Sequence, residues 1–238
     1  MAIISYDTAL RRILKYIKKL RWQPINVYLF HQVSDVFDGS TMKRGDWTET
    51  RLFKQNIEFL SRQYRFISLT EAVKRIDTDI FRFQKCAVLT SDDGWESLKN
   101  VLPWLNEQSI PITLFVNPCY FDGRHFREKE TERYLLQQDI DDICRLYPLV
   151  SIGLHGWDHS RVTEQGEEDF RNSIMKSMTY LESLPCFVPF FCFPFGVHNE
   201  MSDRVLREFH LTPVLVDNGT NINDSSFIHR ILLDACVL

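Results

Sequence analysis

Apolar positions along the chain alternate between short continuous runs and longer stretches with helical spacing. The continuous runs predict strands at residues 27–30, 65–69, 88–92, 111–117, 150–154, 190–193, 213–216 and 227–233. Between them, periodic stretches predict helices at residues 53–60, 70–76, up to 104, 132–147, 170–181 and 203–209. Thr70 is the expected N-cap of the second helix. This alternation predicts parallel βα units, whose strands end at one shared edge.

A basic amphipathic helix is predicted at residues 1–22, ahead of the alternating pattern. Its apolar stripe consists of Leu10, Ile13, Leu14, Ile17 and Leu20, and basic side chains fill the other face. Residues 1–22 carry a net charge of +5, whereas the remainder carries −9. Two interpretations stay open: the stripe packs on the rest of the fold, or the helix contacts an anionic membrane surface.

Length and composition narrow the class of protein. A chain of 238 residues suits one α/β domain, so we expect a single domain at residues 23–238. No apolar run is long enough to span a bilayer, and the acidic body argues against nucleic-acid binding. The six cysteines lack paired spacing and the start of the chain lacks a signal-peptide pattern, so we expect reduced core cysteines and a cytoplasmic protein.

Two predicted strands end in side chains that suit catalysis. The run at 88–92 stops at Asp92 and Asp93, before Gly94, and the run at 150–154 is followed by His155 and His159. An Asp-Gly pair alone is a common turn signal. One carboxylate with two imidazoles, however, is the ligand set of an open catalytic metal site, with a second carboxylate to spare. This mixed donor set suits one divalent transition metal, zinc first, and also cobalt, nickel or ferrous iron.

Three segments at these strand ends resemble the polysaccharide deacetylase family, the NodB-like carbohydrate esterases. TSDDGWES at 90–97 is similar to the TFDDG motif of that family, and IGLHGWDHS at 152–160 is similar to its HxxxH motif. FCFPFG at 191–196 resembles its proline-aromatic-glycine segment, and LFHQVSD and FIHRILLD also look like family segments. The resemblance covers nearly all of the chain beyond the first two dozen residues. It implies a distorted (β/α) barrel of about seven or eight strands.

The resemblance also implies roles for particular residues. Asp93, His155 and His159 would hold the metal, and Asp92 would be the base that activates water. His229, in the late hydrophobic-x-His segment, would be the acid that protonates the departing amine. Residues expected to bind substrate are His31, Trp95 and Phe195. Alternatives are that His31 packs on the first strand, that residues 194–196 only shape a turn, and that His229 packs while Arg230 contacts a carboxylate.

The sequence departs from the family pattern at three places. Ser91 replaces the aromatic residue before the acidic pair. Cys192 stands where many members have an arginine that orients the base. Position 192 therefore provides no arginine to orient Asp92. The family's Asp-x-x-Asp-aromatic segment is missing, and Asp217 is its nearest remnant.

Three functions compete at this point. The first is a metal-dependent deacetylase that removes an acetyl or formyl group from an N-acylated sugar, in cytoplasmic biosynthesis of a surface glycan such as O-antigen or capsule. Its substrate would be nucleotide-linked, lipid-linked or an oligosaccharide. The second is a catalytically impaired, sugar-binding relative. The third is a magnesium-dependent phosphoacceptor domain, which has no use for His155 and His159.

Overall fold

The computed structural model describes residue 11 and residues 23–35, 47–78, 84–123 and 133–233. The predicted helix at 1–22 therefore lies outside the described residues, except for Arg11, which is helical and exposed. Its packing or membrane contact stays a prediction. Among the described residues, no helix combines the length and the apolar character needed to cross a membrane.

The described elements follow the predicted alternation. The strands are β1 (Asn26–Phe30), β2 (Gln32–Val33), β3 (Trp47–Thr48), β4 (Arg65–Phe66), β5 (Cys86–Ser91), β6 (Ile112–Val116), β7 (Val150–Leu154), β8 (Phe187–Cys192), β9 (Thr212–Val214) and β10 (Ile231–Leu232). The α-helices are α1 (Thr50–Ser61), α2 (Leu69–Thr78), α3 (Leu102–Glu107), α4 (Gln137–Leu146), α5 (Glu167–Leu181) and α6 (Glu200–Glu208). Short 3₁₀ turns include Pro118–Tyr120 and Pro194–Gly196.

Eight of the described strands form one curled, all-parallel sheet. Its order is β10-β1-β5-β6-β7-β8-β9, and β4 also pairs with β5. All six residues of β5 are buried, as expected for a central parallel strand covered on both faces. The predicted fold class, a distorted (β/α) barrel, is confirmed.

Residues 228–232, which we name the closing segment, connect the two edges of the curled sheet. At one end Ile228 bridges in parallel to Val214 of β9. At the other end β10 pairs with β1, with Tyr28 opposite Ile231. The sequence predicted one continuous strand at 227–233, but the regular strand is shorter because the segment passes from one edge to the other.

Side chains on alternate strand positions divide into two apolar clusters, as the twofold period of a strand requires. One cluster contains Val27, Val88, Phe190 and Val214, and helix α2 adds Leu69 and Ile76 to it. The larger cluster packs the helices against the other face of the sheet. Strand β7 comes close to its neighbour at Gly153, where a Cβ atom would lie 2.6 Å from the ring of Phe115.

Two local predictions are wrong. Helix α2 is capped by Ser68, whose hydroxyl accepts a hydrogen bond from the backbone N–H of Glu71 at 3.1 Å, and not by Thr70. Cys144 and Cys186 form a disulfide between the end of α4 and the start of β8, whereas the sequence predicted reduced cysteines. Cys192 is a buried thiol, as predicted.

Candidate active site

The carboxyl ends of three parallel strands bring the predicted site residues together. Asp92 and Asp93 follow β5, His155 follows β7, and the Pro194–Gly196 turn follows β8. Because neighbouring parallel strands end at the same edge, these residues meet although about a hundred positions separate Asp92 from the turn that starts at Pro194.

Asp93, His155 and His159 form one compact cluster. The Oδ1 atom of Asp93 lies 3.3 Å from Nε2 of His155 and 3.1 Å from Nε2 of His159. Asp93 and His155 are buried, and His159 is nearly so. The structure thus places together the three residues that the sequence proposed as metal ligands.

Three residues of the site have backbone angles that non-glycine residues seldom adopt. The φ angle is 73° at Asp93, 62° at His159 and 61° at Phe195. Left-handed backbone at non-glycine residues costs free energy, and it persists where surrounding contacts hold it. At Asp93 the turn continues into Gly94, whose φ of 72° explains the glycine there. These turns allow both carboxylates to leave the strand toward one site.

Hydrogen bonds to Asp93 and His155 fix the direction of the ligand atoms. The indole N–H of Trp95 donates to Oδ2 of Asp93 at 3.2 Å, and its ring stacks on Tyr134. Nδ1 of His155 lies 2.9 Å from the carbonyl oxygen of Cys192, which can only accept, so Nδ1 carries the hydrogen. Nε2 of His155 is then left to face Asp93. Metal-binding histidines are commonly oriented in this way.

The environment of His155 attracts positive charge. Burial alone would lower the pKa of His155, but Cys192, Asp93 and Asp92 outweigh it and raise that pKa well above its ordinary value. Asn117 donates to the carbonyl oxygens of both His155 and Gly156, which holds the backbone of this loop.

The donor atoms fit one divalent metal ion. The ligand atoms of Asp93, His155 and His159 lie within 4.8 Å of one another, and a carboxylate with two imidazoles is a typical catalytic set for zinc. A second group, formed by Asp92, His155 and Cys192, is equally compact. It suits a cation poorly, because a buried arginine already neutralises Asp92.

That arginine is Arg230, in the closing segment. Its Nη1 and Nη2 atoms donate to Oδ1 and Oδ2 of Asp92 at 2.7 and 2.8 Å. Burial of Asp92, which is 3% exposed, would raise its pKa, but Arg230 outweighs burial and the pKa is lowered. Asp92 is therefore an anion at neutral pH. The sequence predicted only, as an alternative, that Arg230 contacts an unspecified carboxylate. The signal that could have pointed to Asp92 was the cysteine at 192 in place of an arginine.

The two remaining predicted histidines lie in different surroundings. His31 follows β1, and its carbonyl oxygen accepts a hydrogen bond from the hydroxyl of Ser91 at 3.0 Å. Its Nδ1 atom is buried with no hydrogen-bond partner in the described part of the chain, and its charge contributes to the lowered pKa of Asp92. His31 is thus close to Asp92, the residue predicted to be the base. Its predicted contact with substrate stays a prediction.

His229 contacts the loop that precedes the closing segment. Its Nδ1 atom lies 2.7 Å from Oδ2 of Asp217, and its backbone N–H donates to the side chain of Asn221. Asp217, the remnant of the missing family segment, therefore orients this imidazole. The role of His229 as acid stays a prediction.

Phe195 and Trp95, both predicted to bind substrate, differ in exposure. Phe195 is 55% exposed, and its ring centroid lies 4.6 Å from that of His159 and 4.1 Å from the guanidinium of Arg161. An exposed ring beside a ligand residue suits stacking on a sugar. Trp95 is only 4% exposed and is committed to Asp93 and Tyr134, so it orients a ligand residue; direct substrate contact by Trp95 stays a prediction.

Comparison with known sequences identifies the family. The sequence signature of the family described as polysaccharide deacetylase matches residues 82–214, more than half of the chain and most of the site just described. The chain belongs to the polysaccharide deacetylase family. No curated protein sequence matches the chain.

Solved structures of other polysaccharide deacetylases and related proteins share the fold. IcaB from Ammonifex degensii is 23% identical, with a TM-score of 0.73 over 88% of this chain and 91% of IcaB. The Streptococcus pyogenes deacetylase PplD, solved with acetate, is 16% identical, with a TM-score of 0.70 over 87% and 91% of the two chains. The deacetylase domain of BpsB from Bordetella bronchiseptica is 16% identical, with a TM-score of 0.63 over 88% and 96%. At these identities the likeness shows the fold.

Proposed function

We propose that this polysaccharide deacetylase is a metal-dependent N-deacetylase that removes an acetyl or formyl group from an N-acylated sugar. The observation that carries the proposal is the Asp93, His155 and His159 cluster beside a second, ionised carboxylate, Asp92. One ligand set and one base are what metal-assisted hydrolysis of an amide requires. PplD was solved in complex with acetate, the product of deacetylation, which supports acetyl as the group that is removed.

Each residue of the site has a task in this reaction. A divalent cation held by Asp93, His155 and His159 would polarise the acyl oxygen and make water more acidic. Asp92 is an anion fixed by two hydrogen bonds, so it can accept the proton of the attacking water. Phe195 offers its exposed ring to the sugar face. His229, oriented by Asp217, would return a proton to the departing amine.

The alternative of a catalytically impaired relative was motivated by the cysteine at position 192. Arg230 supplies the guanidinium contact to Asp92 that an arginine at 192 would make. This contact favours activity over simple sugar binding.

The substrate and cellular setting are further parts of the proposal. A sugar linked to a nucleotide or a lipid, or part of an oligosaccharide, would serve assembly of a surface glycan such as O-antigen or capsule. The cytoplasmic location rests on the sequence alone. The Cys144–Cys186 disulfide argues against it, because disulfides form mainly in oxidising compartments.

The decisive experiment combines elemental analysis with acetate and formate release from a panel of nucleotide-linked, lipid-linked and oligomeric N-acyl sugars. We expect about one zinc per chain and turnover of one substrate class. Asp92→Asn should keep the metal and lose turnover, whereas His155→Ala combined with His159→Ala should lose both. A stoichiometric metal that survives the double histidine variant would contradict the ligand assignment.

A further inference from the structure

Arg230 is a fully buried arginine whose hydrogen bonds converge on the base. Besides its two bonds to Asp92, Nη1 donates to the hydroxyl of Thr90 at 3.1 Å and Nε donates to the carbonyl oxygen of Leu215 at 3.1 Å. Nη2 lies 2.8 Å from Sγ of Cys192. These contacts come from strands β5 and β8 and from the chain after β9, so the guanidinium is held independently of Asp92.

A guanidinium held in this way fixes the orientation of the carboxylate. Two parallel N–H···O bonds define both the plane and the position of the carboxylate, which a single lysine charge does not do. We infer that Arg230 is the positioning residue of Asp92, and that it sets the direction in which the base meets the attacking water. This inference rests on the proposed function for its catalytic meaning and on the described contacts for its geometry.

The small side chain at position 192 makes this arrangement sterically feasible. Sγ of Cys192 lies 3.3 Å from Oδ2 of Asp92, so position 192 faces the same carboxylate oxygen as Nη2 of Arg230. A long side chain at 192 would enter the space that the guanidinium fills. An arginine at 192 and Arg230 therefore exclude each other.

The test compares Arg230→Met and Arg230→Lys with wild type, and uses Ile228→Val in the same segment as the matched control for packing. With the sugar that the panel identifies, Arg230→Met should lower kcat about 100-fold, because a misplaced base loses alignment, while KM changes little. Arg230→Lys keeps the positive charge but cannot donate two parallel hydrogen bonds, so it should lower kcat about tenfold. Ile228→Val should keep kcat near wild type.

Two readouts separate positioning from structural damage. Metal content should be unchanged in Arg230→Met, so kcat per bound metal falls; a fall in kcat that only tracks lost metal would overturn the inference. The shifts in Tm for Arg230→Met, Asp92→Asn and the double variant should be non-additive, since the residues form one pair. Additive shifts would overturn the contact. This cycle needs no turnover, so it stays informative if wild type deacetylates nothing and the proposed function fails.

Variants with an arginine at position 192 test whether that side chain and Arg230 occupy the same space beside Asp92. Cys192→Arg alone should lower Tm and kcat, because two guanidinium groups then compete for one buried carboxylate. In the Arg230→Met background, Cys192→Arg should raise kcat above that of Arg230→Met by about tenfold, as a guanidinium returns to the base. A double variant no better than Arg230→Met would overturn the inference that position 192 and Arg230 occupy one space.

Discussion

Trp95 shows how single residues that do not react can control a site. Its indole N–H holds Oδ2 of Asp93, while its ring stacks on Tyr134, which stacks in turn on Tyr120 with ring centroids 4.1 Å apart. The stacked rings leave the indole little freedom to rotate. Asp93 therefore presents its other oxygen, Oδ1, to His155 and His159.

Trp95→Phe should weaken metal binding while preserving the fold. Phenylalanine keeps most of the stacking but has no N–H donor, and loss of such a supporting hydrogen bond typically costs about 10- to 100-fold in metal affinity. Calorimetric titration of the metal-free protein with zinc measures the change. Trp104→Phe, in α3 beneath the side chain of Lys54, is the matched control. Equal zinc affinity in Trp95→Phe and wild type would contradict the orienting role.

His229→Ala should lower kcat by about two to four orders of magnitude if His229 donates the proton to the departing amine. Asp217→Asn is a companion variant, because Asp217 forms a hydrogen bond with His229. It should lower kcat less than His229→Ala does, since the imidazole stays in place. His31→Ala is the competing variant, since His31 lies near Asp92. A near-normal rate for His229→Ala, together with a large loss for His31→Ala, would move the acid role to His31.

At the scale of elements, the strand ends were predictable and the side chains that cross the barrel were not. Continuous apolar runs marked β5 and β7, and parallel packing then placed Asp92, Asp93 and His155 at one edge. Arg230 meets Asp92 across 138 positions, and no local periodicity encodes such a contact. The only sequence signal was an expected arginine absent at position 192. Likewise, helical spacing located α2 but did not distinguish Ser68 from Thr70 as its cap.

The disulfide between α4 and β8 is an element-scale feature with a direct test. It joins residues 42 positions apart, and a link of that length typically stabilises a fold by about 2–4 kcal/mol. We expect mass spectrometry of unreduced protein to find the peptides of Cys144 and Cys186 linked, and reduction to lower Tm. Cys192, which is buried, should resist alkylation in both states. Native protein in which both Cys144 and Cys186 are alkylated without reduction would contradict the disulfide.

At the scale of the whole molecule, charge is distributed unevenly. Residues 1–22 carry +5 and the remainder −9, and only Arg11 of that basic stretch is among the described residues. If it met an anionic leaflet, a basic, amphipathic helix at residues 1–22 would hold the protein at a membrane that carries lipid-linked sugars, and each basic residue would contribute about 1 kcal/mol.

Liposome sedimentation tests this contact. We expect the full chain to bind anionic vesicles at low salt and to be released as salt increases, whereas a form lacking residues 1–22 stays in solution. Neutral vesicles are the control. Intact protein that ignores anionic vesicles, combined with a lower Tm for the shortened form, would show instead that the helix packs on the barrel.

The closing segment makes Asp92, the proposed catalytic base, sensitive to local opening of the sheet where β10 meets β1. The regular pairing of β10 with β1 is only two residues long, so opening of the sheet there breaks only a short ladder of backbone hydrogen bonds. Each time Ile228 to Leu232 detach, Arg230 leaves with them and Asp92 keeps a buried charge without its counterion. The pKa of Asp92 would then rise, because burial is no longer offset by Arg230. A protonated Asp92 cannot accept a proton from the attacking water. Warming should therefore abolish the proposed deacetylase activity, by opening this short segment, at a temperature below that at which the rest of the sheet unfolds.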